Sequence, residues 1–116
     1  MMKSPITTHV LDTVRGRPAA GMSVTLEMRA QPAEWKELAR GTTDSDGRID
    51  DLLAPTARLT AGPFRMTFDT AGYFRSIGIS GFYPSVTVTF DVDDPDHHYH
   101  IPLLLSPFGY STYRGS

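Results

Sequence analysis

The 116-residue chain contains no cysteine, which excludes disulfides, thiolate nucleophiles and thiolate metal sites. No stretch approaches the about 18 apolar residues that a membrane-spanning helix requires. The opening "MMKSPITTHV" has one lysine and no apolar run behind it, so no secretory signal is expected and a soluble cytoplasmic protein is the expectation. Strong charge of either sign is also missing. With 11 Lys and Arg against 13 Asp and Glu, the net charge is -2 and the basic residues are scattered, which argues against nucleic acid or an anionic membrane as the main partner. The nucleophile elbow G-x-S-x-G, the phosphate loop and the dinucleotide fingerprint are all absent, leaving serine-based covalent catalysis and nucleotide cofactors without support. The length fits a single domain, 1–116, with room for one hydrophobic core.

What is present reads as strand and turn. In "SVTVTFDV", Val86, Val88, Phe90 and Val92 alternate with Thr87, Thr89 and Asp91, the period of a half-buried strand. "MSVTLEMR" repeats it with Met22, Val24, Leu26 and Met28 on one side. "EWKELARGTT", "PFRMTFD", "HYHIPLLLS" and "ITTHVLD" supply four more candidates, separated by "RGRPAAG", "DSDG", "LAPTARLTAGP", "SGFYP" and "DDPD", whose Gly, Pro, Asp and Ser content marks turns. Six strands predict an all-β sandwich. Only "DTAGYFRSIG" suggests helix, two turns long, with Asp69 or Thr70 as its cap.

Three segments carry groups with chemistry. On a strand, "DHHYHIPLLLS" places His98, His100, Pro102 and Leu104 opposite the core-facing Tyr99, Ile101, Leu103 and Leu105. A His-x-His pair on one strand face can bind zinc but needs a third ligand, and none is offered locally. Structural histidines and general acid–base work are the other readings. His9 lies on the face opposite Thr8 and Val10, where a lone histidine is unremarkable by itself. "TTDSDGR" matches the third, fifth and sixth positions of a calcium loop at Asp44, Asp46 and Gly47, but Thr42 and Leu53 stand where carboxylates are required. A tight turn holding Arg48 explains it better, and a guanidinium fork there suits carbonyl or anionic oxygens.

Taken together, "THVLDTVRGRPAAG", "TDSDGR" and "HYHIPLLLSPFGYSTYRGS" resemble the 5-hydroxyisourate hydrolase family, the enzymatic relatives of transthyretin, from about Ser4 to the last residue. The closing "YRGS" is what separates these hydrolases from the hormone carriers. The resemblance implies a transthyretin-like sandwich of two four-stranded sheets with one short helix, assembled as a homotetramer (a dimer of dimers) with active sites in a channel between dimers. It also implies hydrolysis of 5-hydroxyisourate to 2-oxo-4-hydroxy-4-carboxy-5-ureidoimidazoline in urate degradation, without metal or organic cofactor. Matched residue by residue, the catalytic groups are His9, Arg48 and His100, and Tyr113, Arg114, Gly115 and Ser116 join His9 and Arg48 in binding substrate. A carboxylate at Ser116 is expected to orient an imidazole or a water. His97, an additional histidine ahead of the "HYH", receives no role. The competing readings are a non-catalytic transthyretin-like carrier of small ligands and a structural sandwich appended to a larger enzyme.

Overall fold

The computed structural model describes residues 3–116; Met1 and Met2, at the start of the expected domain, lie outside the described residues. In chain order the elements are β1 (Ile6–Asp12), β2 (Arg17–Pro18), β3 (Ser23–Gln31), β4 (Glu34–Thr42), β5 (Arg48–Ile49), β6 (Gly62–Phe68), α1 (Thr70–Ser76), β7 (Val86–Val92), β8 (Tyr99–Ser106) and β9 (Gly109–Thr112). All six expected strands form. β2, β5 and β9 are additional, two of them only two residues long. One sheet runs β2-β1-β8-β9 and the other β4-β3-β6-β7, with β5 also paired to β1. The implied sandwich of two sheets with one short helix is the observed architecture, with the first sheet counting five strands because the two-residue β5 shares the edge of β1 with β2; among the described residues no helix is long and apolar enough to cross a membrane.

The alternation read from the sequence decides which side chains meet between the sheets. Val24 and Leu26 of β3, Phe64, Met66 and Phe68 of β6, and Leu103 and Leu105 of β8 are all essentially inaccessible, and each such side chain contributes about 1.5–3 kcal/mol through its burial. β1 and β8 run parallel in the middle of their sheet. The other edge of β1 is divided, with β5 paired to Thr8 and His9 and β2 paired to Leu11 and Asp12.

The helix is short because its start and end are both specified locally. Asp69 Oδ1 accepts the N–H of Gly72 at 3.0 Å, which settles the cap, while Thr70 Oγ1 donates instead to the Tyr83 carbonyl. Past its end, Gly78 takes a φ of +73°, a backbone conformation that favours glycine. Its inner face buries Tyr73 and Phe74. The Tyr73 hydroxyl donates to Asp12 Oδ2 at 2.7 Å, and Asp12 Oδ1 accepts the N–H groups of Val14 and Arg15. A buried carboxylate is thereby fully satisfied, and burial together with Asp12 pushes the Tyr73 phenol up to about 12.

Candidate active site

The turn before β5 is built to present Arg48. Asp44 Oδ1 accepts the N–H groups of Asp46 at 2.8 Å and Arg48 at 3.0 Å, so its carboxylate serves the turn's own backbone. Gly47 has a φ of +73° and its carbonyl accepts the Val10 N–H at 2.8 Å. A Cβ at this position would stand 2.5 Å from the Val10 carbonyl oxygen, so only glycine lets the turn close against β1. The result is a fixed register in which Arg48 lies directly opposite His9. Paired residues of adjacent strands share a face, about 5 Å apart at Cβ.

His100 enters from the other side of β1. In the parallel β1–β8 register Thr7 faces His100 and His9 faces Pro102. The outer face of this sheet thus carries two rows, Arg48–His9–Pro102 and Thr7–His100, separated by two residues, or about 7 Å along the strand. Within the second row the Thr7 hydroxyl lies 2.8 Å from His100 Nδ1 and 3.1 Å from His98 Nε2. The two imidazoles that might have converged on a zinc ion converge on a hydroxyl. Thr7 is 1% exposed, whereas His98 is exposed and His9, Arg48 and His100 are half-buried.

The last residues return to this face in the register that β9 sets. β9 pairs with β8 from Ser106↔Gly109 to Leu103↔Thr112. Opposite Tyr113 the ladder fails, since Pro102 has no N–H and its carbonyl already accepts Thr112 Oγ1 at 2.6 Å. One residue pair beyond Arg114 the same register resumes, with Gly115 bridged to His100 and its N–H donating to the His100 carbonyl at 2.9 Å. A Cβ on Gly115 would come within 2.5 Å of His100 Cδ2. The imidazole is therefore sandwiched between the Thr7 hydroxyl and a residue that must lack a side chain.

The tail's side chains divide between two environments. Tyr113, 59% exposed, continues the outer row opposite Pro102. Arg114 turns the other way, its guanidinium carbon 4.8 Å above the Tyr99 ring. There a cavity of about 340 Å³ opens at the sandwich edge, lined by Val88, Phe90, Tyr99, His100, Tyr113 and Arg114 among others; His100 thus borders both environments, while neither His9 nor Arg48 lines the cavity. Of the residues singled out in the sequence, His9, Arg48, His100 and Gly115 are brought together on the outer face, and Tyr113 and Arg114 share a cavity with His100. His97 pairs with Asp94 at 3.2 Å in the preceding turn. Thr7 is the group that sequence reasoning passed over, although alternation alone puts it on the face of His9.

The electrostatics of this face are predominantly positive. Burial, then the charge of Arg48, then His98 and His9 hold His100 below the ordinary imidazole value, opposed only by Asp50. A neutral imidazole beside a guanidinium is a base next to an oxyanion donor.

Known proteins are similar to this chain along nearly its whole length. The mouse protein named 5-hydroxyisourate hydrolase is 44% identical over 114 residues, spanning 97% of this chain and 96% of that protein. The solved 5-hydroxyisourate hydrolase of Klebsiella pneumoniae superposes with a TM-score of 0.82 at 35% identity, covering 96% of this chain and 98% of that one. Sea bream transthyretin, solved in complex with thyroxine, superposes at 0.88 with 33% identity, covering 97% and 95%. Backbone likeness extends to the 5-hydroxyisourate hydrolase and to the thyroxine-bound transthyretin alike. The model of the HIUase/Transthyretin family matches residues 6–115, and the chain belongs to that family.

Proposed function

We propose that this chain hydrolyses 5-hydroxyisourate, opening its six-membered ring to give 2-oxo-4-hydroxy-4-carboxy-5-ureidoimidazoline. The observation that carries the reading is the single face on which Arg48 lies opposite His9, with His100 two residues along and Gly115 closed against it. Water attacks the ring carbonyl, the C–N bond breaks, and the nitrogen leaves with a proton. His100, kept neutral by burial and Arg48, takes the proton from water. Arg48 receives the oxyanion, and His9 orients the substrate and returns a proton to the leaving nitrogen. Tyr113, Gly115 and Ser116 border the substrate, while Arg114, stacked on Tyr99, anchors the tail. A carrier would have no use for a neutral base beside a fixed guanidinium.

An outer sheet face is open, and the reaction needs water excluded except for the attacking molecule. We assign the missing wall to other copies of the chain, in a homotetramer built as a dimer of dimers. The decay of absorbance of freshly generated 5-hydroxyisourate, with and without the protein, tests the activity; an unaccelerated decay rules it out and leaves the carrier reading. Light scattering tests the assembly, and a monomer at working concentration would remove the proposed wall.

A further inference from the structure

The outer face contains one arrangement that hydrolysis alone does not explain. Thr7 Oγ1 lies within hydrogen-bond distance of both His100 Nδ1 and His98 Nε2, yet a hydroxyl has one proton to donate. At least one of the two nitrogens must therefore carry a hydrogen, and where the hydroxyl donates to one the other must donate to it, so the protonation states of two imidazoles are tied through one oxygen. Among the described residues no hydrogen bond involves the remaining ring nitrogen of His100, Nε2. Thr7 is fixed by its strand and is 1% exposed, so water does not compete for its hydroxyl, whereas His98 is exposed to solvent.

We infer that Thr7 and His98 form a proton relay behind His100. The His100 Nδ1–H donates to Thr7 Oγ1, and the Thr7 hydroxyl donates to His98 Nε2, which leaves the Nε2 lone pair of His100 free for the attacking water. When Nε2 gains that proton, the Nδ1 proton moves to Thr7 Oγ1 as the Thr7 proton moves to His98 Nε2. His100 is neutral again, with its proton now on Nε2, and His98 is an imidazolium, which passes the proton to solvent. That proton balances the one that His9 gives the leaving nitrogen and takes back from solvent. Once the product has left, His98 draws a proton from solvent, the transfers through Thr7 run back to Nδ1, and Nε2 releases its proton, which resets the base. Thr7 is a positioning residue here and His98 the exit. Arg48, His9 and Asp50 also act on His100, with Arg48 and His9 discouraging a resident positive charge and so favouring its transfer outward.

The kinetic arm of the test rests on the hydrolytic reading, and a spectroscopic arm does not. Thr7→Val removes the hydroxyl at nearly constant shape, and Thr7→Ser keeps it. In the wild-type protein the 15N resonances of His100 should show the Nδ1–H tautomer; in Thr7→Val they should shift toward a mixture, and in Thr7→Ser return. Turnover of 5-hydroxyisourate by Thr7→Val should fall at least about tenfold in kcat with KM less affected, and Thr7→Ser should recover most of it. His98→Ala should make kcat depend on buffer concentration and be rescued by added imidazole. An unchanged His100 tautomer in folded Thr7→Val overturns the positioning role whether or not the protein proves to be a hydrolase. A His98→Ala variant with wild-type kcat and no response to imidazole overturns the relay.

Discussion

The two faces of β1 and β8 are made from alternate residues of the same strands and obey opposite rules. Inward, Ile6, Val10, Ile101, Leu103 and Leu105 are at most 5% exposed, and the polar groups among them are satisfied within the fold: Thr8 Oγ1 donates to the Ile101 carbonyl, and Asp12 accepts from Tyr73. Outward, Thr7, His9, His100 and the adjoining Arg48 bring polar and titratable groups onto one surface, where burial and then the charge of Arg48 hold the His100 imidazole below its ordinary pKa. The inner face stabilises the fold by apolar burial, and the outer face keeps a reactive group poised. Neighbouring positions in sequence should therefore report on different properties, stability for one set and turnover for the other.

The largest test is on the inner side. Leu103→Ala removes a fully buried side chain and should cost about 2–5 kcal/mol in chemical denaturation, with turnover per folded molecule near wild type. Its neighbours on the outer side should behave inversely. His9→Ala, Arg48→Ala and His100→Ala should each lower turnover at least about a hundredfold, equivalent to about 2.7 kcal/mol of transition-state stabilisation. Their denaturation midpoints should stay close to that of the parent. Near-native turnover in any one of them removes that residue from the mechanism, and a collapse in stability erases the contrast between faces.

Gly115→Ala is a smaller change that separates position from chemistry. The new methyl would meet the His100 ring 2.5 Å from Cδ2 and the Pro102 ring at 3.2 Å, so the imidazole or the tail must yield. Turnover should fall at least about tenfold, less than for losing His100 outright, and the Thr7–His100 contact should weaken in the 15N spectrum. Wild-type kinetics would mean that the tail moves aside freely and does not hold His100.

Much of this division was legible beforehand, because alternation is a local property. It identified the inner residues of β1, β3, β7 and β8, and it put His98 and His100 outside the core. The "DSDGR" turn was readable for the same reason, since Asp44, Gly47 and Arg48 interact within five residues. The strand β9, the two-residue β2 and β5, and the bridge from Gly115 to His100 were not legible. Their existence depends on register between distant segments, which leaves no periodic trace. Thr7 went unnoticed because a threonine in a strand is ordinary; only its pairing with a residue 93 positions away makes it part of the site.

The most delicate test of the contrast concerns charge. His100 is held below the ordinary imidazole value by burial first and by Arg48 second. In the unfolded chain neither influence exists, so as pH falls the unfolded imidazole binds its proton before the folded one does. The neutral His100 therefore contributes stability above the ordinary value, and that contribution is lost as pH falls through the interval down to the lowered one. Arg48→Met removes the charge and leaves the burial, so the His100 titration followed by NMR should move upward without reaching the ordinary value, and the interval of acid sensitivity should narrow. A titration unchanged by Arg48→Met would show that the guanidinium is screened from the imidazole, and the outer face would then be a set of separate groups and not one electrostatic unit.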